Sequence, residues 1–467
     1  MDNRSEHSLV LVAAAAAWLC GCADRPPESS SAITRDSGGI TIVENQTPAW
    51  SEADRWRITS EPLLDIGILE GDPGYELHRP RAALRLDDGR IVVSNTGTYQ
   101  IRFYDEDGRH LRDAGGEGGG PGEFRRISWV GRLEEDSIAV YDQTQRRLSV
   151  FSSVGQLVRD VPLRVSGRYY PMIGGRLGDG SLVGEVRIRP RGPDLLEGIG
   201  RDSLVLLRFD PAGELIDTVG LFPNRVFDVQ NRAIGARTIR GPADVAFSPR
   251  AVWAVGEDVV VIGSSDTYEL RVLGREGDLR KIVRKAHVPV PITEEDRNGL
   301  VDIWLEIHAG RLDNPEVQYF IKTLEDSPLP EAFPAFDPME MDERGRRIGL
   351  PLLLDREGNL WVAQYRRPAE ATPLWDIFDP NGYFLGTVTL PEGFLLTDAG
   401  ADYVLGVWTD ELDVARVRMF GLEKGGDGAA VTATAGGASH QEDWIDYTRL
   451  HADANGESHF EDVRVQL

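Results

Sequence analysis

Residues 83–93 read Ala-Leu-Arg-Leu-Asp-Asp-Gly-Arg-Ile-Val-Val, residues 100–108 read Gln-Ile-Arg-Phe-Tyr-Asp-Glu-Asp-Gly, and residues 119–124 read Gly-Gly-Pro-Gly-Glu-Phe. Runs of β-branched and aromatic residues alternate here with Asp-Gly turns, in which glycine adopts a positive φ at little steric cost. The pattern predicts a four-stranded antiparallel meander. Because one such meander cannot bury its own faces, its recurrence along the chain decides the architecture.

The third strand of this unit recurs six times. Its copies end at Tyr104, Phe151, Phe209, Leu273, Phe378 and Phe420, which are 47, 58, 64, 105 and 42 residues apart. A propeller blade spans roughly 40 to 50 residues, so the longer intervals indicate insertions. Radial closure covers most sheet edges and lets each blade bury its neighbour's face. We therefore predict an all-β fold, a six-bladed β-propeller over residues 38–422.

The two ends of the repeat region predict how the ring closes. The sixth repeat stops near Leu422 without a fourth strand. Two strand-like segments, residues 39–43 and 63–66, precede the first full blade. We predict that one of these N-terminal strands completes the sixth blade.

A helical hairpin is predicted within the long interval between repeats four and five, over residues 292–326. Thr293 with Asp296 is typical of a helix N-cap, and Asn314-Pro315 begins a second helix by the same logic. The hairpin either packs against blades four and five or forms a lid over the mouth of the channel.

Charge excludes one large class of function. The formal net charge is −25 and the isoelectric point is about 4.8, so the chain would repel nucleic-acid phosphates.

The eight histidines form no close ligand pair, and no Gly-x-Ser-x-Gly motif is present. The acidic turns at residues 105–108 and 355–358 lack the spacing of a calcium loop, and the glycine-rich loop at 115–124 leads into no phosphate-binding helix. We predict no metal site and no cofactor.

The N-terminus indicates the cellular location of the protein. Residues 9–19 form an apolar run of signal-peptide length, followed by Cys20-Gly21-Cys22. This ending resembles the lipobox of bacterial lipoproteins, which implies lipidation at Cys22. Residues 1–22 would then be a lipoprotein signal peptide, and residues 23–37, rich in Pro and Ser, a flexible tether. The alternative is a buried N-terminal helix with two ordinary thiols.

The C-terminal part has two segments of different composition. Residues 423–446 are rich in Gly and Ala, which is typical of a linker. Residues 447–467 resemble the opening strand of small cupin-like proteins, although no barrel follows. His451 and His459 therefore predict no metal site.

Basic clusters precede the predicted inner strands of five blades. Equivalent positions in a propeller lie at one height around the axis, so these clusters predict an arginine ring at one channel mouth. Guanidinium groups bind carboxylates and phosphates through forked hydrogen bonds. The alternative is that the arginines form surface ion pairs with neighbouring Asp and Glu. The candidate ligand-binding residues are Arg79, Arg81, Arg126, Arg168, Arg240 and Arg347.

Residues 88–93, 119–124 and 360–362 carry a resemblance to bacterial six-bladed β-propeller lipoproteins of the NHL-like group. The resemblance covers residues 38–422. It implies a lipid-anchored, extracytoplasmic scaffold for ligand binding or protein interaction, on the outer membrane facing the periplasm or the surface. Together with the basic clusters, this predicts a monomer whose partner is an anionic small molecule, a glycan or a protein. The alternative is a lactonase-like hydrolase or lyase with a calcium ion at the channel mouth.

Overall fold

The computed structural model describes residues 32–165, 169–190, 195–234, 237–338, 349–367, 370, 372–410, 412–425, 434–435, 444–452 and 458–466. Cys22 and the predicted signal peptide lie outside these residues. The chain first forms three strands that join sheets built mainly from later parts of the chain. These strands are β1 (Ala32–Ser37), β2 (Ile40–Asn45) and β3 (Arg57–Ile66).

Sheets I and II are antiparallel meanders of four consecutive strands. The Asp-Asp-Gly turn of sheet I places Gly89 at a φ of 90°, which agrees with the predicted hairpin. Sheet I contains β4 (Pro80–Arg85), β5 (Ile91–Asn95), β6 (Gln100–Tyr104) and β7 (His110–Gly115), and sheet II contains β8 (Ile127–Arg132), β9 (Ile138–Asp142), β10 (Arg147–Phe151) and β11 (Leu157–Pro162).

Sheets III and IV repeat this meander with additions at their edges. Sheet III contains β12 (Met172–Arg176), β13 (Leu182–Ile188), β14 (Gly198–Phe209) and β15 (Leu215–Ile234), and β16 (Arg237–Asp244) pairs with the far end of β15. Sheet IV contains β17 (Ala251–Val255), β18 (Val259–Ser264), β19 (Glu269–Gly274) and β20 (Leu279–Lys285).

Sheets V and VI complete the set. Sheet V contains β21 (Leu352–Leu354), β22 (Leu360–Ala363), β23 (Leu374–Phe378) and β24 (Phe384–Thr389), and sheet VI contains β25 (Phe394–Ala399), β26 (Tyr403–Thr409) and β27 (Ala415–Glu423). The fourth strand of sheet VI is β3, which pairs antiparallel with β27. The prediction that an N-terminal strand completes the last sheet is confirmed.

The first strands of the sheets form a closed circle of contacts. In order, β4 contacts β8, β8 contacts β12, β12 contacts β17, β17 contacts β21, β21 contacts β25, and β25 returns to β4. Apolar clusters lie between neighbouring sheets, such as the one that joins Ile138 and Val140 of sheet II to Val92 of sheet I. The chain is a β-propeller. The predicted all-β class is confirmed.

The N-terminal strands also run along the outside of two other sheets. β2 lies parallel to β20 and β1 pairs with β2, so both extend sheet IV. The Ala49 and Trp50 N–H groups then donate to the Phe384 and Leu385 carbonyls of sheet V, at 2.9 and 2.8 Å. This outer belt, residues 32–66, therefore spans sheets IV, V and VI. Residues 32–37, predicted to belong to the tether, form β1 because β2 offers them an unpaired edge across the turn at Gly38 and Gly39.

One ion pair, between a half-buried guanidinium and a buried carboxylate, joins sheet VI to sheet II across sheet I. Asp398 is 5% exposed and accepts two hydrogen bonds from Arg132, at 2.9 and 3.0 Å. The Arg85 N–H and the Tyr403 hydroxyl also donate to Asp398, each at 2.9 Å. Because these groups come from the first two sheets and the last one, the pair closes the ring on its inner side.

The predicted helical hairpin is present as α1 (Glu294–Ile307) and α2 (Pro315–Glu325). Thr293 and Asp296 form a capping box, and the Asn314 side chain accepts from the Glu316 N–H. The apolar faces of both helices pack together and onto Ala246, whose N–H donates to the Ser327 hydroxyl at 2.9 Å. The hairpin is thus anchored on the connection between β16 and β17.

The C-terminal segment adds backbone strands to existing sheets. β28 (Thr434–Ala435) pairs with β1, and β29 (Trp444–Ala452) pairs with β30 (Ser458–Gln466) and with β15. The predicted tail therefore forms a hairpin at the edge of sheet III. Most of the predicted linker, residues 423–446, lies outside the described residues.

Candidate functional site

A cavity of about 710 Å³ lies where sheets VI, I and II meet. Two loops supply its basic side chains: residues 77–81, which lead into β4, and residues 125–127, which lead into β8. We call it the arginine cavity. Its basic lining residues are His78, Arg79, Arg81, Arg125 and Arg126.

Buried polar side chains hold both loops in place. Asn95, the last residue of β5, accepts from the His78 N–H at 2.6 Å. Asp142, the last residue of β9, accepts from the Arg126 N–H at 2.9 Å and also from the Arg125 N–H. Asn95 and Asp142 are both fully buried, so they fix the backbone of the two loops that carry the arginines.

The same arrangement recurs in sheet IV. The Ser265 hydroxyl accepts from the Arg250 N–H at 3.0 Å, and the Ser265 N–H donates to the Arg250 carbonyl at 3.0 Å. His78, Arg126 and Arg250 are therefore equivalent positions in three sheets. Sequence reasoning missed Arg250. The signal was its place directly before the inner strand β17.

The sequence predicted Arg240 directly before an inner strand, and this predicted position is wrong. It lies on β16, paired with Asn231 of β15, well before the inner strand β17. Its guanidinium donates to the Leu195 carbonyl at 3.4 Å, and it is not among the described residues that line the arginine cavity. The error arose because the long ribbon formed by β15 and β16 separates this arginine from the next sheet. Arg168 and Arg347 lie outside the described residues.

Three of the cavity's arginines have no carboxylate partner in the part of the chain that the structure describes. Arg79, Arg125 and Arg126 are exposed, and none of them forms an ion pair there. Many arginines elsewhere do form such pairs; Arg416 and Arg418, for example, both contact Asp65. The cavity's one lining carboxylate among the described residues is Asp413. The lining therefore carries an excess of positive charge in a strongly acidic chain.

The acidic turns use their carboxylates for the backbone. Asp105 accepts from the Arg109 N–H at 2.7 Å, and Asp355 accepts from the Asn359 N–H at 2.8 Å and from the Trp361 indole at 3.0 Å. Burial raises the pKa of Asp355. Within the described ranges, no group of three His, Cys, Asp or Glu side chains is placed to hold a metal ion.

The glycine-rich loop packs as a connection between sheets I and II. Phe124 is fully buried in the cluster between these sheets, and Gly115, at a φ of 90°, lies against its ring. A Cβ atom at Gly115 would come within 2.6 Å of that ring. Glu123 accepts from the Gly120 N–H at 2.7 Å, so the loop's own carboxylate occupies this donor.

The chain is similar to several solved structures but matches no protein family. No family model matches the chain, and no curated protein matches it. A Bacteroides fragilis protein named as exported has a TM-score of 0.44 and 12% identity, over 82% of this chain and 100% of its own. A member of the DUF4221 family from Bacteroides vulgatus has the same score and identity, over 80% and 100%. Virginiamycin B lyase from Staphylococcus aureus has a TM-score of 0.36 and 9% identity, over 79% and 100%.

Neither α1 nor α2 could cross a membrane, since no helix in the described part of the chain combines the required length with the required apolarity.

Proposed function

We propose that this chain is an extracytoplasmic, six-bladed propeller of the NHL-like group that binds a small anionic ligand in the arginine cavity. The observation that carries the proposal is the convergence of Arg79, Arg125 and Arg126, without carboxylate partners among the described residues, on one cavity. Forked guanidinium donors from two loops would hold a carboxylate or phosphate from two sides. The fixed backbone of both loops reduces the entropy lost on binding.

The volume of the cavity favours a small molecule over a flat protein surface. At about 710 Å³ it lies within the range of pockets that enclose small ligands. Two cationic loops that face one space favour a ligand with two anionic groups, such as a dicarboxylate or an organic phosphate. An anionic glycan end would satisfy the same geometry.

Anion binding predicts a thermal shift that depends on these arginines. At about 100-fold above its Kd, a ligand stabilises the folded state by about 2.7 kcal/mol. We expect at least one dicarboxylate, organic phosphate or sulfated glycan to raise the Tm of the parent protein. The variant Arg79→Ala/Arg126→Ala should lose that shift, because the two substitutions remove one fork from each loop.

The matched control is Arg55→Ala/Arg109→Ala, which removes the same charge from exposed arginines outside the cavity. An equal loss of the shift in this control would mean that net charge, not the cavity, holds the anion. A panel of anions that shifts neither protein would contradict the proposal.

Lipid anchoring at Cys22 is part of the same proposal. In a bacterial host that processes lipoproteins, we expect Cys22→Ser to abolish the lipid-dependent mass increase and to release the protein from the membrane fraction. Cys20→Ser is the control, since Cys20 does not follow a small residue, and it should leave both unchanged. Membrane association of Cys22→Ser at the parent's level would contradict the anchor.

The alternative activity, a calcium-dependent hydrolase or lyase, is separated from binding by elemental analysis of the purified protein. A stoichiometric calcium whose removal lowers the Tm would support the enzyme. A metal-free protein whose Tm is indifferent to chelator would support the binding function.

A further inference from the structure

A second cavity, of about 320 Å³, lies between sheets IV and V. Its walls come from the ends of β20 and β22, from β23 and from the segment at residues 333–335 that follows the helical hairpin. We call it the IV–V cavity. None of its lining residues lines the arginine cavity.

Asp376, on β23, forms the floor of the IV–V cavity and is fully buried. One carboxylate oxygen accepts from the Tyr268 hydroxyl and from the Lys285 ammonium, each at 2.7 Å. The other accepts from the Gln364 amide at 2.7 Å and from the Thr387 hydroxyl at 2.9 Å. The carboxylate is therefore saturated with donors, and its charge is balanced by that of Lys285.

Lys285 and Gln364 retain hydrogen-bonding capacity beside the cavity. One ammonium proton of Lys285 binds Asp376, and its Nζ lies 4.9 and 4.6 Å from the ring centres of Tyr268 and Phe384. Gln364 binds Asp376 and Thr387 through its amide nitrogen, which leaves its carbonyl oxygen as an acceptor. A donor and an acceptor thus lie side by side on the cavity wall.

Another part of the lining, the aromatic wall, is fixed by backbone hydrogen bonds. The Phe333 ring stacks on Tyr365, with the ring centres 4.9 Å apart. The Phe333 N–H donates to the Val290 carbonyl at 2.9 Å, and the Ala335 N–H donates to the Ser265 carbonyl at 2.8 Å. The cavity is therefore formed before any ligand arrives, which favours binding.

The described lining carries two basic and two acidic side chains besides His287. The Arg367 guanidinium lies over the Phe333 ring at 5.2 Å, and the Arg367 backbone N–H donates to Glu370 at 3.0 Å. Burial and the charge of Lys285 lower the pKa of His287, so this imidazole is neutral at neutral pH. A charged ligand would lose its hydration here without gaining a counter-charge.

We propose that the IV–V cavity binds a neutral, ring-shaped polyol of the size of one monosaccharide. Its hydroxyl groups would exchange hydrogen bonds with Lys285 and Gln364, and its apolar ring face would lie against the aromatic wall. Neutral hydroxyls suit a cavity whose lysine is already paired, whereas a carboxylate or phosphate does not.

Saturation-transfer NMR with neutral methyl pyranosides tests the proposal. We expect a signal from at least one of the gluco, galacto, manno and N-acetylglucosamine forms, and a weaker signal from the matching uronate. Val290→Trp should abolish the signal, because Val290 lines the cavity and an indole there takes up the space that a ligand needs. Val288→Trp is the matched control, since Val288 is 83% exposed and lies outside the lining, and it should keep the signal.

Three results would overturn the proposal: no signal from any neutral pyranoside, an unchanged signal in Val290→Trp, or stronger binding of the uronate. An oligosaccharide ending in the preferred sugar separates two sources of the ligand, since tighter binding of the oligosaccharide indicates a glycan end and equal binding a free sugar. Arg79→Ala/Arg126→Ala should bind the sugar normally, so the result of this test does not depend on the proposed anion site.

Discussion

Replacing Arg132 by methionine is expected to lower the free energy of unfolding by about 3 kcal/mol, since it leaves the buried Asp398 carboxylate without its counter-charge. Asp398 is 5% exposed, and it would keep only the Arg85 N–H and the Tyr403 hydroxyl as donors. The effect should be large because the pair joins the first two sheets of the ring to the last. Urea unfolding followed by tryptophan fluorescence measures the change.

A double variant separates the cost of an orphaned charge from the cost of lost packing. Arg132→Met/Asp398→Asn should recover part of the stability, because the neutral amide removes the orphaned charge and keeps an oxygen that accepts from the Arg85 N–H and the Tyr403 hydroxyl. Arg164→Met is the surface control, since the Arg164 and Glu214 side chains are 64% and 47% exposed, and it should cost less than about 1 kcal/mol. Equal losses in Arg132→Met and Arg164→Met would show that the Arg132–Asp398 pair does not hold the ring closed.

Ile66→Ala on β3 is expected to cost about 3 kcal/mol, which is within the range for truncating a buried isoleucine. Ile66 is 1% exposed and packs in the cluster that contains Val417 and Tyr403 of sheet VI and Tyr104 of sheet I. The loss should appear as a lower midpoint with an unchanged denaturant slope, because the fold remains closed.

Leu63→Ala is the matched control on the same strand. Leu63 is 61% exposed, so its truncation should change stability by less than about 0.5 kcal/mol. If both variants have the parent's free energy of unfolding, packing of β3 does not stabilise the closed ring.

The repeats were sufficient to predict the meanders and the completing strand, because alternation and Asp-Gly turns act locally. They did not predict that β2 would lie parallel to β20, since alternation shows that a segment is a strand but not which sheet edge it joins. The ribbon of β15 and β16 was missed for a similar reason, because its length depends on pairing beyond the repeat.

The arginine cavity could be predicted in part. Arg79, Arg81 and Arg126 were predicted to precede inner strands. Arg81 instead lies within β4, and the structure brings all three to one cavity with Arg125. The predicted position of Arg240 before an inner strand was wrong. The residue of sheet IV that is equivalent to Arg126 is Arg250. The IV–V cavity could not be predicted, because Tyr268, Lys285, Gln364 and Asp376 are far apart in the sequence and carry no spacing signal.

The outer belt has a consequence for the order of events as the chain is made. Asp65 on β3 bonds to Arg418, 353 residues later, and Asn45 bonds to the Arg284 carbonyl, 239 residues later. Contacts of such separation form slowly, and unpaired edges promote aggregation until they do. β2 must therefore wait for sheet IV and β3 for sheet VI, and the ring stays open until sheet VI has been synthesised.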